Sequence, residues 1–146
     1  MHIEVCNAGM LGEWAALRHA LWPEDTLENL IREAEAMLAR SGSMVFVARD
    51  ADAIAGFAEA SLRPYVNGCE GSPVPFVEGL YVVPGARRHG VARALIIAVE
   101  NWARSRGCRE LASDVLLDNI ASQDAHQALG FVETERVVYY RKPITR

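Results

Sequence analysis

The sequence predicts an α/β fold, a mixed central sheet with helices on both faces. Three observations carry that prediction. Stretches of apolar alternation, the mark of half-buried strands, are interleaved with stretches of 3-and-4 apolar spacing, the mark of amphipathic helices. Their order is one strand, two helices, three strands, a helix and a closing strand–helix–strand. The bulk numbers agree: 146 residues, 51% hydrophobic and 23% charged, are enough for one domain with a real core. No repeat, low-complexity tract or linker divides residues 1–146.

Each element has its own signal. "HIEVCN" alternates and reads as the first strand. In "AGMLGEWAALRHALWP", Leu11, Trp14, Leu17 and Leu21 line one side of a helix that Pro23 stops. "DTLENLIREAEAMLARSG" is the clearest helix, with Leu27, Leu30, Ile31, Ala34, Met37 and Leu38 as its apolar stripe. Asp25 or Thr26 caps its start, and Gly42 is expected at its end. "SMVFVARD" and "AIAGFAEASLRPY" form a hairpin around Ala51–Asp52, and the turn-forming "VNGCEGSP" follows as a loop. "VPFVEGLYVVP" is a long strand closed by Pro84. A helix from about His89 to Arg106 buries Val91, Leu95, Val99 and Trp102 and ends at Gly107. "RELASDVL" is expected as a strand, "NIASQDAHQAL" as a short helix and "GFVETERVVYYRK" as the final strand.

Composition narrows the function classes. No apolar run reaches the ~18 residues of a membrane helix, and the first residues lack a basic and then apolar leader pattern. A cytoplasmic protein with no membrane partner is expected. The net charge is −4, from 15 Lys and Arg against 19 Asp and Glu, which disfavours nucleic acid and permits a cationic substrate. Cys6, Cys69 and Cys108 form no C-x-x-C pair and read as free thiols. His2, His19, His89 and His126 are dispersed, so no metal is expected.

One junction calls for an anion. "ARRHGVARAL" gathers Arg87, Arg88 and His89 just where a helix begins, and a helix start already carries partial positive charge. Gly90 allows a tight turn and close backbone approach, and Ala92 is small. Successive N–H groups there make a nest for phosphate oxygens, to which the arginines add charge-assisted bonds. The stretch is neither a Walker A loop nor a dinucleotide fingerprint.

"LYVVPGARRHGVARALI" resembles the acetyl-CoA motif of the GNAT superfamily of N-acetyltransferases: a strand, Val-x-Pro, then [RQ]-x-x-G-x-[GA] opening a helix. Arg87, Gly90 and Ala92 fill its three specified positions. "LDNIASQDAHQALGF" resembles the second family motif, with Asn119 opening a helix and Gly130-Phe131 following it. Within the superfamily, "YVNGC", "ASD" and "ETER" make the chain similar to the bacterial aminoglycoside 6'-N-acetyltransferases, over most of its length. The resemblance implies a GNAT fold and acetyl-CoA as co-substrate. It implies cofactor contacts at Leu80, Tyr81 and Val82, at Arg87, Arg88, His89, Gly90, Val91 and Ala92, and at Asn119. It also implies a small cationic amino-sugar as substrate and a homodimer with exchanged C-terminal strands, for which the apolar "VVYYRK" is suited.

The chemistry needs a neutral amine, a held thioester carbonyl and a place for the developing oxyanion. The resemblance sets the carbonyl between parallel strands at 75–83 and 109–116, polarised by a backbone N–H near Leu80 to Val82. Glu78 interrupts the apolar "PFVEGLYVV" and Asp114 interrupts "LASDVLL". A buried ionised carboxylate needs partners, and a polycationic amine would supply them, with either acid taking the proton directly or through water. A solvated sheet face would explain both acids without chemistry. The likeness suggests Trp22 and Tyr65 as flat surfaces for the sugar and Glu135 as a further acid, although Trp22 also fits a core position and Glu135 a surface strand. Many superfamily members carry a tyrosine four residues before the Gly-Phe pair to protonate the departing thiolate. Here that position is His126, either an acid or a packing residue. Two other readings compete: acetylation of a different small amine such as a polyamine, and a non-catalytic acyl-CoA-binding module.

Overall fold

Four antiparallel strands lie in sequence order across the sheet: β1 (His2–Val5), β2 (Ser43–Asp50), β3 (Ala53–Arg63) and β4 (Val74–Val82). The computed structural model describes residues 1–145. They form two compact units, Met1–Asp114 and the residues from Val115 onward.

In the first unit, helices cover both faces of the sheet. On one face α1 (Leu11–Leu21) and α2 (Leu27–Ala39) pack Trp14, Ala34 and Met37 against Val45, Val47 and Phe57. On the other, α3 (Val91–Ser105) packs Val91, Leu95, Val99 and Trp102 against Ala48, Ala58, Ala60 and Val82. Strand alternation sorts these residues: Phe57 faces α1 and α2, while Ala58 and Ala60 face α3. The small alanines let α3 lie close to the sheet.

The local signals explain most boundaries. Thr26 caps α2, its hydroxyl accepting from Asn29 N at 3.1 Å, and Asp25 accepts from Asn29 Nδ2. The hairpin turns at Ala51, which takes a left-handed φ of 54°. Gly107 stops α3 with φ 76°, its N–H bonded to the Arg104 carbonyl. Gly42 does not end α2; the helix closes at Ala39, and the Gly42 carbonyl instead accepts from Leu62 N at 2.8 Å. A short 3-10 turn, Ala8–Met10, precedes α1 where the sequence suggests unbroken helix.

Two expected strands are absent among the described residues. Of "RELASDVL" only Ala112 pairs, in a parallel bridge to Phe76: Ala112 N donates to the Pro75 carbonyl at 2.9 Å, and Val77 N donates to the Ala112 carbonyl at 2.8 Å. Among the described residues, that bridge is the only parallel pairing. In the second unit α4 (Ile120–Ala128) forms as expected, but "GFVETERVVYYRK" makes no ladder. Val132, Val138, Tyr139 and Tyr140 are 84%, 75%, 82% and 93% exposed. Strand propensity there is real, but a strand needs a neighbour for its backbone groups.

Candidate functional site

The site begins with a backbone irregularity in β4. Glu59 pairs with Gly79 and the next residue, Ala60, pairs with Val77, so Glu78 is an extra residue without a partner on β3. This is a β-bulge, and it re-aims a side chain. Leu80 and Val82 pack toward α3, so strict alternation would place Glu78 there too. Instead its carboxylate meets Ser61 and Arg63 on the other face, Oε2 accepting from Ser61 Oγ at 2.7 Å.

There it lines an open cleft of about 490 Å³ together with Trp22, Glu59, Ser61 and, from α2 and its approach, Asp25 and Glu33. The lining holds five carboxylates (Glu24, Asp25, Glu33, Glu59, Glu78) against Arg18 and Arg40. Such a wall attracts a cationic ligand and repels an anionic one.

Trp22, just past α1, is fixed from three sides. The Arg18 guanidinium lies 5.0 Å from its ring centroid, and Phe57 lies 6.5 Å away. On the third side is Gly79, where a Cβ would stand 2.7 Å from Cη2 of the indole. Beneath sits a buried pair: Arg18 Nε donates to Glu59 Oε1 at 2.5 Å, and Trp14 Nε1 donates to the same oxygen at 3.1 Å. Arg18 Nη1 also donates to the Leu30 carbonyl, which ties α1 to α2. Burial pushes the Glu59 carboxyl up, opposed by Arg18 and Trp14.

The junction before α3 has the form an anion requires. Pro84–Ala86 makes a 3-10 turn, Arg88 takes φ 65° and Gly90, the N-cap of α3, takes φ 79°. Two left-handed residues this close turn the chain sharply at a helix start, and for Arg88 that conformation costs about 1–2 kcal/mol. Local strain of this kind clusters at ligand sites. A Cβ on Gly90 would meet nothing within 4 Å, leaving the approach to the helix open. Arg87 also braces the turn. Its Nε donates to the Val82 carbonyl at 2.8 Å and its guanidinium lies 5.5 Å from the Tyr81 ring, so it anchors the turn to β4. Val91 is buried among core residues, which leaves its backbone for any ligand contact. His89 lines a separate cavity with Asp50, Val83 and Gly85.

The remaining expected residues are spread across both units. Tyr65 stands 72% exposed on the loop after β3, whose other end is held by Glu110 accepting from Glu70 N at 3.0 Å and Gly71 N at 2.8 Å. Asp114 lies two residues past the Ala112 bridge, as Glu78 lies two past Phe76; beyond the bridge the two chains no longer pair. Neither Tyr65 nor Asp114 lines the acidic cleft that holds Trp22 and Glu78. In the second unit, Asn119 caps α4, its Oδ1 accepting from Ser122 N at 3.1 Å. His126 Nδ1 lies 2.7 Å from the Ser122 carbonyl and therefore carries a proton, while its ring packs 5.1 Å from Phe131. Glu135 is exposed beside the Glu133–Arg136 pair.

Sequence reasoning passed over Gly79, Glu59, Arg18, Ser61 and Arg63. Two signals were available. A glycine inside the apolar "VEGLYVV" marks a bulge or a close approach, and an acid inside "GFAEASL" needs a buried partner.

The model of the acetyltransferase (GNAT) family matches residues 13–131. Aminoglycoside N(6')-acetyltransferase type 1 of Serratia marcescens is 50% identical over 144 residues, covering 97% of this chain and 99% of its own. The enzyme of the same name from Salmonella typhimurium is 48% identical over the same shares. Among solved structures, AAC(6')-Iy in complex with the bisubstrate analogue CoA-S-monomethyl-acetylneamine superposes with a TM-score of 0.93 at 45% identity, over 98% of both chains. The 6'-N-acetyltransferase AAC(6')-Ig of Acinetobacter haemolyticus gives 0.96 at 42% identity, over 99% of this chain and 100% of that one.

Proposed function

The chain belongs to the acetyltransferase (GNAT) family, and from that premise we propose that it transfers the acetyl group of acetyl-CoA to the 6'-amine of aminoglycoside antibiotics, giving resistance to them. One observation in the molecule carries the reading: the β4 bulge turns Glu78 into an acidic cleft beside the immobilised ring of Trp22. A flat ring beside carboxylates suits an amino-sugar, whose apolar face stacks while its ammonium groups pair.

Acetyl-CoA supplies the activated thioester, and the chain's own residues do the rest. The backbone of Arg88 to Ala92 and the side chains of Arg87, Arg88 and His89 hold the pyrophosphate, Arg87 also bracing the turn, and Asn119 is a further cofactor contact. A backbone N–H between Leu80 and Val82 polarises the carbonyl. Glu78 and Asp114 bind the amine, and one of them takes its proton, directly or through water, as the new C–N bond forms. His126 returns a proton to the sulfur when the C–S bond breaks. Trp22, Tyr65 and Glu135 position the sugar. We read residues 1–146 as one catalytic domain. No helix among the described residues is long and apolar enough to cross a membrane, and we place the enzyme in the cytoplasm. The exposure of the apolar Val132, Val138, Tyr139 and Tyr140 supports a homodimer through the C-terminal segment.

The test is regiochemical. Kanamycin incubated with the protein and acetyl-CoA should yield one product, with the acetyl on the 6'-nitrogen by NMR. Acetylation at another amine would overturn the assignment.

A further inference from the structure

The carboxylate aimed into the cleft already holds a cation. Glu78 Oε2 accepts from Ser61 Oγ at 2.7 Å, from Arg63 Nη2 at 3.1 Å and from Arg63 Nε at 3.3 Å, and Oε1 accepts from Arg63 Nη2. Three of these contacts converge on Oε2 and one reaches Oε1, so Arg63 and Ser61 occupy most of the carboxylate's lone-pair sites. Arg63 is seated by more than charge, because its guanidinium carbon lies 3.5 Å from the centroid of the buried Phe76 ring. Yet 43% of the Arg63 side chain and 22% of the Glu78 side chain are exposed. The Arg18–Glu59 pair is the opposite design, with side chains only 4% and 0% exposed. One pair is locked. The other is open to exchange with solutes.

We infer that Arg63 is an internal stand-in for the substrate's ammonium group, a residue that holds Glu78 until a cationic amine displaces it and so sets how tightly amines bind. The inference rests on the proposed amine-binding role of Glu78. A ligand with one ammonium gains Glu78 only by breaking the Arg63 pair, and little offsets that loss. A polycation reaches Glu24, Asp25 and Glu33 on the same wall, and those contacts compensate. Arg63 therefore lowers the affinity of every amine that uses Glu78, and only ligands with further ammonium groups on the same wall keep tight binding.

The experiment compares calorimetric Kd values for kanamycin and for methyl 6-amino-6-deoxyglucoside, which carries one amine. Wild type, Arg63→Gln, Arg63→Lys, Glu78→Gln and the Arg63→Gln/Glu78→Gln double variant are measured, with thermal unfolding to check each fold. Arg63→Gln should tighten the monoamine by about two- to fivefold, the range of an exposed ion pair. It should tighten kanamycin by a similar factor, because both ligands displace the same pair, and Arg63→Lys should fall between. In the Glu78→Gln background the Arg63→Gln effect should vanish. Weaker binding in folded Arg63→Gln would make Arg63 a support for Glu78 and overturn the inference, as would no change or an equal change without Glu78. Failure of the wild type to acetylate kanamycin would instead strike the proposed function.

Discussion

A Cβ on Gly79 would stand 2.7 Å from Cη2 of Trp22 and 3.1 Å from its Cζ2, so the bulged strand and the indole meet with no room for a methyl group. The ring cannot simply swing aside, because Arg18 and Phe57 pack against it. Gly79→Ala should therefore displace Trp22 and raise KM for the aminoglycoside by about tenfold, the order of one lost aromatic contact. The acetyl-CoA KM should stay within about twofold. Steady-state kinetics in both substrates checks this; an unchanged aminoglycoside KM would remove Trp22 from the substrate site.

Arg18 and Glu59 hold the same wall from beneath, at 3% and 0% exposure. Arg18→Ala leaves a buried carboxylate without its cation and should cost about 3–5 kcal/mol of stability. Arg18→Met combined with Glu59→Leu removes both charges and should recover most of that loss. Urea unfolding measures each. Equal destabilisation in the single and double variants would show that shape, not charge, is what the pair contributes.

Cys6 gives the stability curve an alkaline edge. Burial, chiefly, pushes its thiol from the ordinary 9.0 up to about 11. Between those values the folded chain keeps a proton that the unfolded chain releases, so stability present below pH 9 is lost as pH rises toward 11. Two pKa units correspond to about 2–3 kcal/mol. The unfolding free energy of wild type minus that of Cys6→Ala should fall by about this amount from pH 8 to 11. A difference that stays constant with pH would contradict the burial argument.

His126 is the residue with two competing explanations. Its Nδ1 faces the Ser122 carbonyl at 2.7 Å, so only a proton held on Nε2 could pass to a departing thiolate. His126→Phe keeps an aromatic ring beside Phe131. It should leave the fold intact and lower kcat by about tenfold or more if the imidazole is the acid. Unchanged kcat would leave that proton to water.

What was legible in the sequence followed from local physics. The α2 stripe, the turn at Ala51–Asp52, the long β4 and the stop at Gly107 are set by spacing, turn chemistry and backbone freedom within a few residues. The junction at residues 84–91 was legible for the same reason, and the two left-handed residues within it follow from the strand-to-helix turn. The bulge at Glu78 was not, because it is a mismatch between two strands that neither states alone. Arg18 likewise looked like an ordinary helix residue; its partner lies 41 positions away. The strands expected at 109–116 and 130–142 failed for a different reason. Their side chains favour extended structure, but apart from the Ala112 bridge they form no ladder in the single chain.

The most direct test of the account is release of free thiol from acetyl-CoA by the purified protein, followed with a chromogenic thiol reagent in the presence of kanamycin, spermidine or no amine. Rapid release is expected with kanamycin and near-background release otherwise, because the cleft joins a flat ring to its carboxylates. Equal or faster release with spermidine would show that charge alone selects the substrate and would contradict the amino-sugar reading; no release with any amine, despite tight acetyl-CoA binding, would contradict catalysis itself.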